Sequence, residues 1–217
     1  YICGELNSKI LVYDLETEQI VQTYNTGKSF NHFIDIDNKN RLYISSIGDN
    51  CITVLNAITG NRIATYNHEK GLSGIGLRKS QEELWVANCL QNRITIYDTK
   101  SMTLKKEFYT RNPLRFCFNK QEDICYVATG MLGQVFEIDA NDLSTKSIIK
   151  LPGNRNLLDR ILYHTPRTVQ VLLHENGRHL FVANSNADKI EIIDLKRKNH
   201  ACSLTTDRIT DGIHILY

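Results

Sequence analysis

The stretch Trp85-Val86-Ala87-Asn88, followed after a short polar break by Arg93-Ile94-Thr95-Ile96-Tyr97-Asp98, decides how this chain folds. Both runs are rich in β-branched and aromatic side chains, and the second alternates apolar and polar residues. That alternation is typical of a β-strand with one buried face. The two runs therefore predict a pair of neighbouring antiparallel strands.

The same pair of runs recurs along the chain. The aromatic residues that hold the position of Trp85 are Tyr1, Tyr43, Trp85, Tyr126 and Phe181. The successive spacings are 42, 42, 41 and 55 residues. Three of them fall within the roughly 40 to 45 residues typical of one propeller blade. Since each repeat also contains four short apolar runs, the sequence predicts an all-β chain: a single β-propeller domain, residues 1–217, of five repeats of four-stranded antiparallel blades.

Four of these repeats are complete. They are predicted at residues 31–66, 72–109, 114–150 and 168–205. Residues 1–24 supply only a second, third and fourth strand, whereas residues 211–217 have the pattern of a first strand. We therefore expect the N- and C-terminal strands to pair, with 213–217 beside the strand that begins at Tyr1, which would leave no open sheet edge. The alternative is a fragment of a seven-bladed ring, since any repeat array cut at equivalent points has complementary ends.

These motifs resemble the YVTN family of β-propeller repeats. The residues that carry the resemblance are Trp85-Val86-Ala87-Asn88 and Phe181-Val182-Ala183-Asn184, each followed by an Ile-x-Ile run, and the turn His174-Glu175-Asn176-Gly177. The resemblance covers essentially the whole chain and implies the propeller fold. It selects no activity, because related propellers serve as surface proteins, binding domains and occasional enzymes.

Composition and charge limit the classes of protein to which this chain can belong. Apolar residues make up 41% of the chain and the formal net charge is +2, so the chain has a globular composition and no charge that favours nucleic acid. No apolar stretch is long enough for a membrane-spanning helix. The six cysteines show no CxxC spacing, which favours unpaired thiols and a cytoplasmic location. The chain begins at Tyr1 without a Met, so a secreted or surface protein that has lost an upstream signal is the alternative.

Each predicted third strand ends in Asp or Asn. These residues are Asp14, Asn56, Asp98, Asp139 and Asp194. Short polar side chains at this position bond the backbone of the following turn. We therefore assign them a structural role.

A binding surface is expected where the loops from the fourth strand to the next first strand meet the loops from the second to the third strand, around the channel mouth. The first loop set carries more cations than anions. The predicted binding residues are Lys28, His32, Lys70, Arg111, Arg115, Arg155, Arg160, Arg167, Arg208 and Asp211. Such a mouth would suit an acidic or phosphorylated segment of another protein or peptide. The competing interpretation is a set of solvated loop charges without a ligand.

The long fourth connection, residues 150–168, is the other unusual feature. Loops of this length are often functional. Its apolar side chains at 157–163 would cover the channel, dock a partner, or pack on neighbouring blades, and residues 156–163 are the best candidate for a short helix.

The sequence contains no nucleophile elbow, phosphate loop or HExxH motif. It therefore favours a protein-interaction or scaffolding propeller with no catalytic residue, no cofactor and no metal, and leaves the oligomeric state open. The alternative is a lactonase-like or other metal-dependent enzyme that uses His32, Asp211 and His214 on a small molecule.

Overall fold

The computed structural model describes residues 1–152, 166–207 and 210–214. The strands of these residues are β1 (Ile2–Gly4), β2 (Lys9–Asp14), β3 (Gln19–Asn25), β4 (Asn31–Ile36), β5 (Arg41–Ser46), β6 (Cys51–Asn56), β7 (Arg62–Asn67), β8 (Leu72–Arg78), β9 (Glu83–Asn88), β10 (Arg93–Asp98), β11 (Leu104–Tyr109), β12 (Pro113–Phe118), β13 (Ile124–Thr129), β14 (Gln134–Asp139), β15 (Thr145–Lys150), β16 (Thr168–Leu173), β17 (His179–Asn184), β18 (Lys189–Asp194) and β19 (Asn199–Thr205). Within the described residues, helix is limited to one 3₁₀ turn at Lys79–Gln81.

The strands form five antiparallel sheets in which each strand pairs with its neighbours in sequence. The sheets are β1–β3, β4–β7, β8–β11, β12–β15 and β16–β19, and the first has three strands in the described part of the chain. The four complete repeats match the predicted ranges to within one residue. The predicted fold class, an all-β propeller of four-stranded antiparallel blades in five repeats, is confirmed.

The expected pairing between the chain ends stays a prediction. Residues 215–217 lie outside the described residues, and residues 210–214 are not part of a strand. β1 is paired with β2 through Ile2 opposite Leu11. The described residues thus leave the seven-bladed alternative untested as well.

The chain forms two compact units, unit 1 (Tyr1–Tyr109) and unit 2 (Thr110–Tyr217). Each is described by itself below, and the prediction that they belong to one domain stays a prediction. The core of unit 1 lies between its sheets, around Tyr43, Ile52 and Ile75, and that of unit 2 includes Val171 and Leu180.

Burial falls off along each complete sheet, from its first strands to its fourth. In unit 1, β8 and β9 are buried over their whole length, whereas β11 is largely exposed. Trp85 of β9 is fully buried and meets the Phe108 ring edge-on at 5.5 Å. A fully buried strand needs an apolar side chain toward each neighbouring sheet, which explains the near-continuous apolar runs of the second and third strands.

The structural role assigned to the third-strand Asp and Asn residues is confirmed. In all five turns the side-chain Oδ1 accepts hydrogen bonds from the backbone N–H groups two and three residues later, for example Asp14 from Glu16 and Thr17 at 2.9 and 2.8 Å. The equivalent pairs follow Asn56, Asp98, Asp139 and Asp194.

All six cysteines are free thiols, as expected from their spacing. Burial raises the pKa of the Cys117 thiol to about 12. None of the helical residues that the structure describes forms a segment long and apolar enough to cross a membrane.

Candidate functional site

The two predicted kinds of loop lie at the same end of the sheets in unit 1. In the second sheet, Asn31, Ser46, Cys51 and Asn67 are opposite one another along the register, so the loops beside them share one end. We call this the loop end, formed in unit 1 by residues 5–8, 26–30, 47–50, 68–71 and 89–92. The opposite end of the sheets is called the turn end.

Backbone hydrogen bonds join the two loop sets of unit 1. The Ile47 N–H donates to the Phe30 carbonyl at 3.0 Å, and the His68 N–H donates to the Asn50 carbonyl at 2.7 Å. The two sets therefore form one continuous surface in this unit, as predicted.

A buried polar network holds the loop that carries Lys28. Asn31 is fully buried; its Nδ2 donates to the Thr26 Oγ1 at 2.9 Å, and its Oδ1 accepts from the Ser46 hydroxyl at 2.8 Å. The Arg62 guanidinium donates to the Thr26 carbonyl at 2.6 Å. Since buried polar groups are costly when unpaired, this satisfied network fixes the loop between β3 and β4.

The predicted site residues of unit 1 differ in their contacts. His32 is half-buried, and its Nδ1 lies 2.8 Å from the Glu5 carboxylate. Lys28 and the exposed Lys70 form no ion pair with any described residue. Asp49 of the neighbouring loop accepts hydrogen bonds from the Ser29 N–H and hydroxyl; the backbone bond is the main cause of its lowered pKa, and the charge of Lys28 lowers it further.

Two predicted site residues of unit 2, Arg115 and Asp211, are brought together. The side chain of Arg115 is only 5% exposed, and its guanidinium bonds the Asp211 carboxylate at 3.0 Å. Arg115 also donates to the Gln170 Oε1, and the Gln170 amide exchanges two hydrogen bonds with the Ile213 backbone at 2.9 and 3.1 Å. Arg115 of β12 and Gln170 of β16 thus hold residues 211–213 between them.

The remaining predicted cations divide into two groups. Arg111 and Arg167 are exposed and form no ion pair with any residue in the described part of unit 2. Arg155, Arg160 and Arg208 lie outside the described residues, as do the apolar side chains and the candidate helix of the fourth connection.

Cations at the turn end of unit 1 are paired with acids. Glu82 binds both Lys39 and Lys100, at 2.5 and 2.7 Å, and Asp37 binds Arg41 at 2.6 Å. At the loop end of this unit Arg93 is paired in the same way, with Glu69. Among the described residues Lys70 forms no such pair, and the charge of Lys28 acts on Asp49 without an ion pair within 4 Å.

Two cavities at the turn end were not predicted. In unit 1 a cavity of about 170 Å³ lies between the second and third sheets, lined in part by Asp37, Arg41 and Thr99. In unit 2 a cavity of about 780 Å³ lies at the equivalent place between the β12–β13 and β16–β17 turns, lined in part by Phe118 and Tyr126. The sequence feature that distinguishes the two cavities is one aligned position at the start of the second strand, which is Arg41 in unit 1 and Ile124 in unit 2.

A second cluster in unit 2 was also missed. The buried Glu191 carboxylate accepts from Asn184 at 3.2 Å, lies 2.8 Å from the His200 Nε2, and bonds the Ser203 hydroxyl. His200 meets both Ser203 and Glu191 through the same Nε2 atom. A serine–histidine–carboxylate relay needs opposite ring nitrogens for these two contacts, so the cluster has the geometry of a structural network.

The repeated sheets define a β-propeller, and the comparisons with known proteins agree at that level. No protein-family model matches the chain, so membership of the YVTN family is not confirmed, and no curated protein matches it either. Among solved structures, a chain of hydrazine synthase from Kuenenia stuttgartiensis is similar, with a TM-score of 0.64 and 15% sequence identity over 83% of this chain. The match covers 49% of that chain, so this chain spans about half the length of its neighbour. At this identity the likeness concerns the fold alone.

Proposed function

We propose that this β-propeller is a protein-interaction or scaffolding module whose loop end binds an acidic or phosphorylated segment of a partner. The observation that carries the proposal is made in each unit by itself: Lys70 at the loop end of unit 1, and Arg111 and Arg167 in the corresponding fourth-to-first-strand loops of unit 2, form no ion pair with any described residue.

Carboxylates and phosphates are the natural counter-ions for these groups. A guanidinium presents a planar set of donors that bonds two oxygens of one anion, and an ammonium adds a compact positive charge. Exposed cations also increase the rate of encounter with an acidic segment, more strongly at low salt. Backbone bonds between the loops support this role, because a preorganised surface loses less entropy on binding.

The metal-dependent enzyme is the alternative to this proposal. It relies on His32, Asp211 and His214; within their own units, His32 contacts Glu5 and Asp211 contacts Arg115.

The test reverses one loop-end charge in each unit, with Lys70→Glu combined with Arg167→Glu. The matched control is Lys106→Glu with Lys196→Glu, which changes the net charge equally at exposed positions away from the loop end. The probe is a fluorescent peptide that contains phosphoserine, glutamate and two leucines, and the measurement is anisotropy at low and physiological salt. We expect the loop-end variant to bind at least about tenfold more weakly than the control.

Equal binding by the loop-end variant and the control would contradict the proposal. So would a parent protein that shows no affinity for the peptide at low salt. A pull-down from the native source with the parent and both variants then identifies the natural partner as a protein that the loop-end variant fails to capture.

A further inference from the structure

We propose that the turn-end cavity of unit 2 is a second binding site, which takes the guanidinium of an arginine side chain from a partner segment. It is separate from the loop end, and the proposal is independent of the function proposed above.

The cavity has the size and lining of a ligand site. Its volume is about 780 Å³, within the range of roughly 300 to 1,000 Å³ found for small-ligand pockets. Phe118, Tyr126 and Leu173 provide apolar and aromatic surface, and the turns 119–121 and 174–177 provide a polar border.

The equivalent cavity in unit 1 shows what such a place can hold. There the Arg41 guanidinium donates to the Thr99 carbonyl at 2.9 Å and to the Asp37 carboxylate at 2.6 Å, and it lies 5.5 Å from the centre of the Tyr43 ring. The chain itself thus places an arginine in this cavity.

The hydrogen bonds of the two units establish which positions correspond. The Asp37 Oδ1 accepts from the Arg41 N–H, and the Asn119 Oδ1 accepts from the Ile124 N–H, so Ile124 holds the place of Arg41. Both residues begin a largely buried strand that contains the matching tyrosine, Tyr43 or Tyr126. Unit 2 therefore keeps the aromatic ring and lacks the guanidinium beside it.

Tyr126 is poised to accept a bond in this cavity. Its side chain lines the cavity although the residue is only 6% exposed, and its hydroxyl forms no hydrogen bond with any residue that the structure describes. The hydroxyl of Tyr43, by contrast, reaches the Thr99 carbonyl at 3.4 Å. The Tyr126 hydroxyl is not among the fully buried polar atoms without a partner, so it is accessible from the cavity and can accept a bond from a ligand there.

The aromatic lining and the carboxylates near Tyr126 suit a cation that stacks on a ring. Burial raises the pKa of Tyr126, and the nearby Glu137 and Asp123 raise it further, whereas Arg41 opposes the increase at Tyr43. Glu137 is itself paired with Lys198 at 2.9 Å, so the carboxylate on the cavity border that stands against Lys120 is that of Glu175. A guanidinium suits this setting because it stacks on aromatic rings and is less strongly hydrated than an ammonium.

The experiment titrates the full chain with three peptides of the form acetyl-Ala-X-Ala-amide, in which X is arginine, lysine or citrulline. Citrulline has nearly the same shape as arginine and no charge. We expect binding by the arginine peptide, with the citrulline peptide at least about tenfold weaker, as for hydrogen bonds that involve a charged group. Free N-methylguanidine separates a small-molecule site from a peptide site: the proposal requires the arginine peptide to bind more tightly. Binding of the arginine peptide weaker than about 1 mM, or no preference over citrulline, would overturn it.

Three variants test the location of this site. Tyr126→Phe keeps the ring and removes the acceptor, so affinity should fall about three- to tenfold. Glu175→Gln changes one exposed carboxylate and should also weaken binding. Asn119→Asp with Ile124→Arg rebuilds the unit 1 arrangement and should abolish binding, provided that the variant melts cooperatively. The control is Lys196→Glu, which lies outside the cavity, and unchanged affinity in both Tyr126→Phe and Glu175→Gln would refute the assignment.

Discussion

The turn-end cavities of unit 1 and unit 2 lie at the same place in the repeat and differ in what lies beside the matching tyrosine, Tyr43 or Tyr126. In unit 1 the space beside Tyr43 holds Arg41, whose charge is matched by Asp37. In unit 2 the space beside Tyr126 is left open, and Ile124 packs on the hydrophobic core instead. The smaller cavity, about 170 Å³, has an arginine at the start of the second strand, and the larger, about 780 Å³, has an isoleucine at the same position.

The largest expected effect comes from removing the cation in unit 1. Arg41→Ile copies the unit 2 residue and leaves the Asp37 side chain, which is only 9% exposed, without its ion pair. Because a mostly buried charge is expensive without a partner, we expect the free energy of unfolding to fall by about 2 to 3 kcal/mol. The loss in the free energy of unfolding is measured by urea denaturation followed spectroscopically, and by calorimetry.

A second variant distinguishes the stability lost with the ion pair from the stability lost with side-chain packing. Asp37→Asn combined with Arg41→Ile reproduces the Asn119 and Ile124 pair of unit 2 and should recover at least half of the loss, since no unpaired charge remains. If the single variant is within about 0.5 kcal/mol of the parent, the ion pair does not stabilise unit 1.

The next effect concerns the acid stability of unit 2. The Lys146 ammonium is the main cause that lowers the pKa of Asp139 to about 2, and the Arg178 guanidinium does the same for Asp194. A carboxyl group whose pKa is lower in the folded state stabilises the fold above its ordinary pKa and loses that contribution as pH falls. Both contributions should therefore decline between about pH 4 and pH 2 and be small below that range.

Asparagine at both positions tests this prediction. Asn56 already caps the equivalent turn in unit 1 with its amide oxygen, so Asp139→Asn with Asp194→Asn keeps the turn and removes the charge. We expect the double variant to be less stable than the parent at pH 7, and the difference to shrink as pH falls from about 4 to 2. A difference in melting temperature between the variant and the parent that stays constant from pH 7 to pH 2 would contradict the assignment.

The sequence predicts those features of the molecule that depend on local chemistry. Strand positions follow from the alternation of apolar residues, and the role of Asp98 follows from its bonds to residues two and three positions later. These signals repeat in every blade and can be recognised without knowledge of distant contacts.

The site is less predictable because its contacts join distant parts of the chain. Arg115 and Asp211 are separated by 96 positions, and the sequence alone identified both as binding residues without indicating that they bind each other. The unit 2 cavity depends on the loss of one arginine at Ile124, and a pattern search treats that residue as an ordinary strand position. A site formed by a missing side chain is harder to recognise in a sequence than a site formed by the side chains that are present.

The smallest expected effect concerns the turn that both units share. Five turns place a residue with positive φ shortly before the fourth strand; these residues are Glu18, Gly60, Met102, Leu143 and Lys198. Residues other than glycine are strained in this region, so Glu18→Gly, at an exposed position, should stabilise the protein by about 0.5 kcal/mol once the greater freedom of glycine in the unfolded chain is subtracted. Gly60→Ala is the opposite control: its new Cβ would lie 2.2 Å from the Tyr24 ring, so it should destabilise the protein. Thermal melts of both variants measure the two shifts, and a shift of the same sign in both would show that backbone strain does not govern this turn.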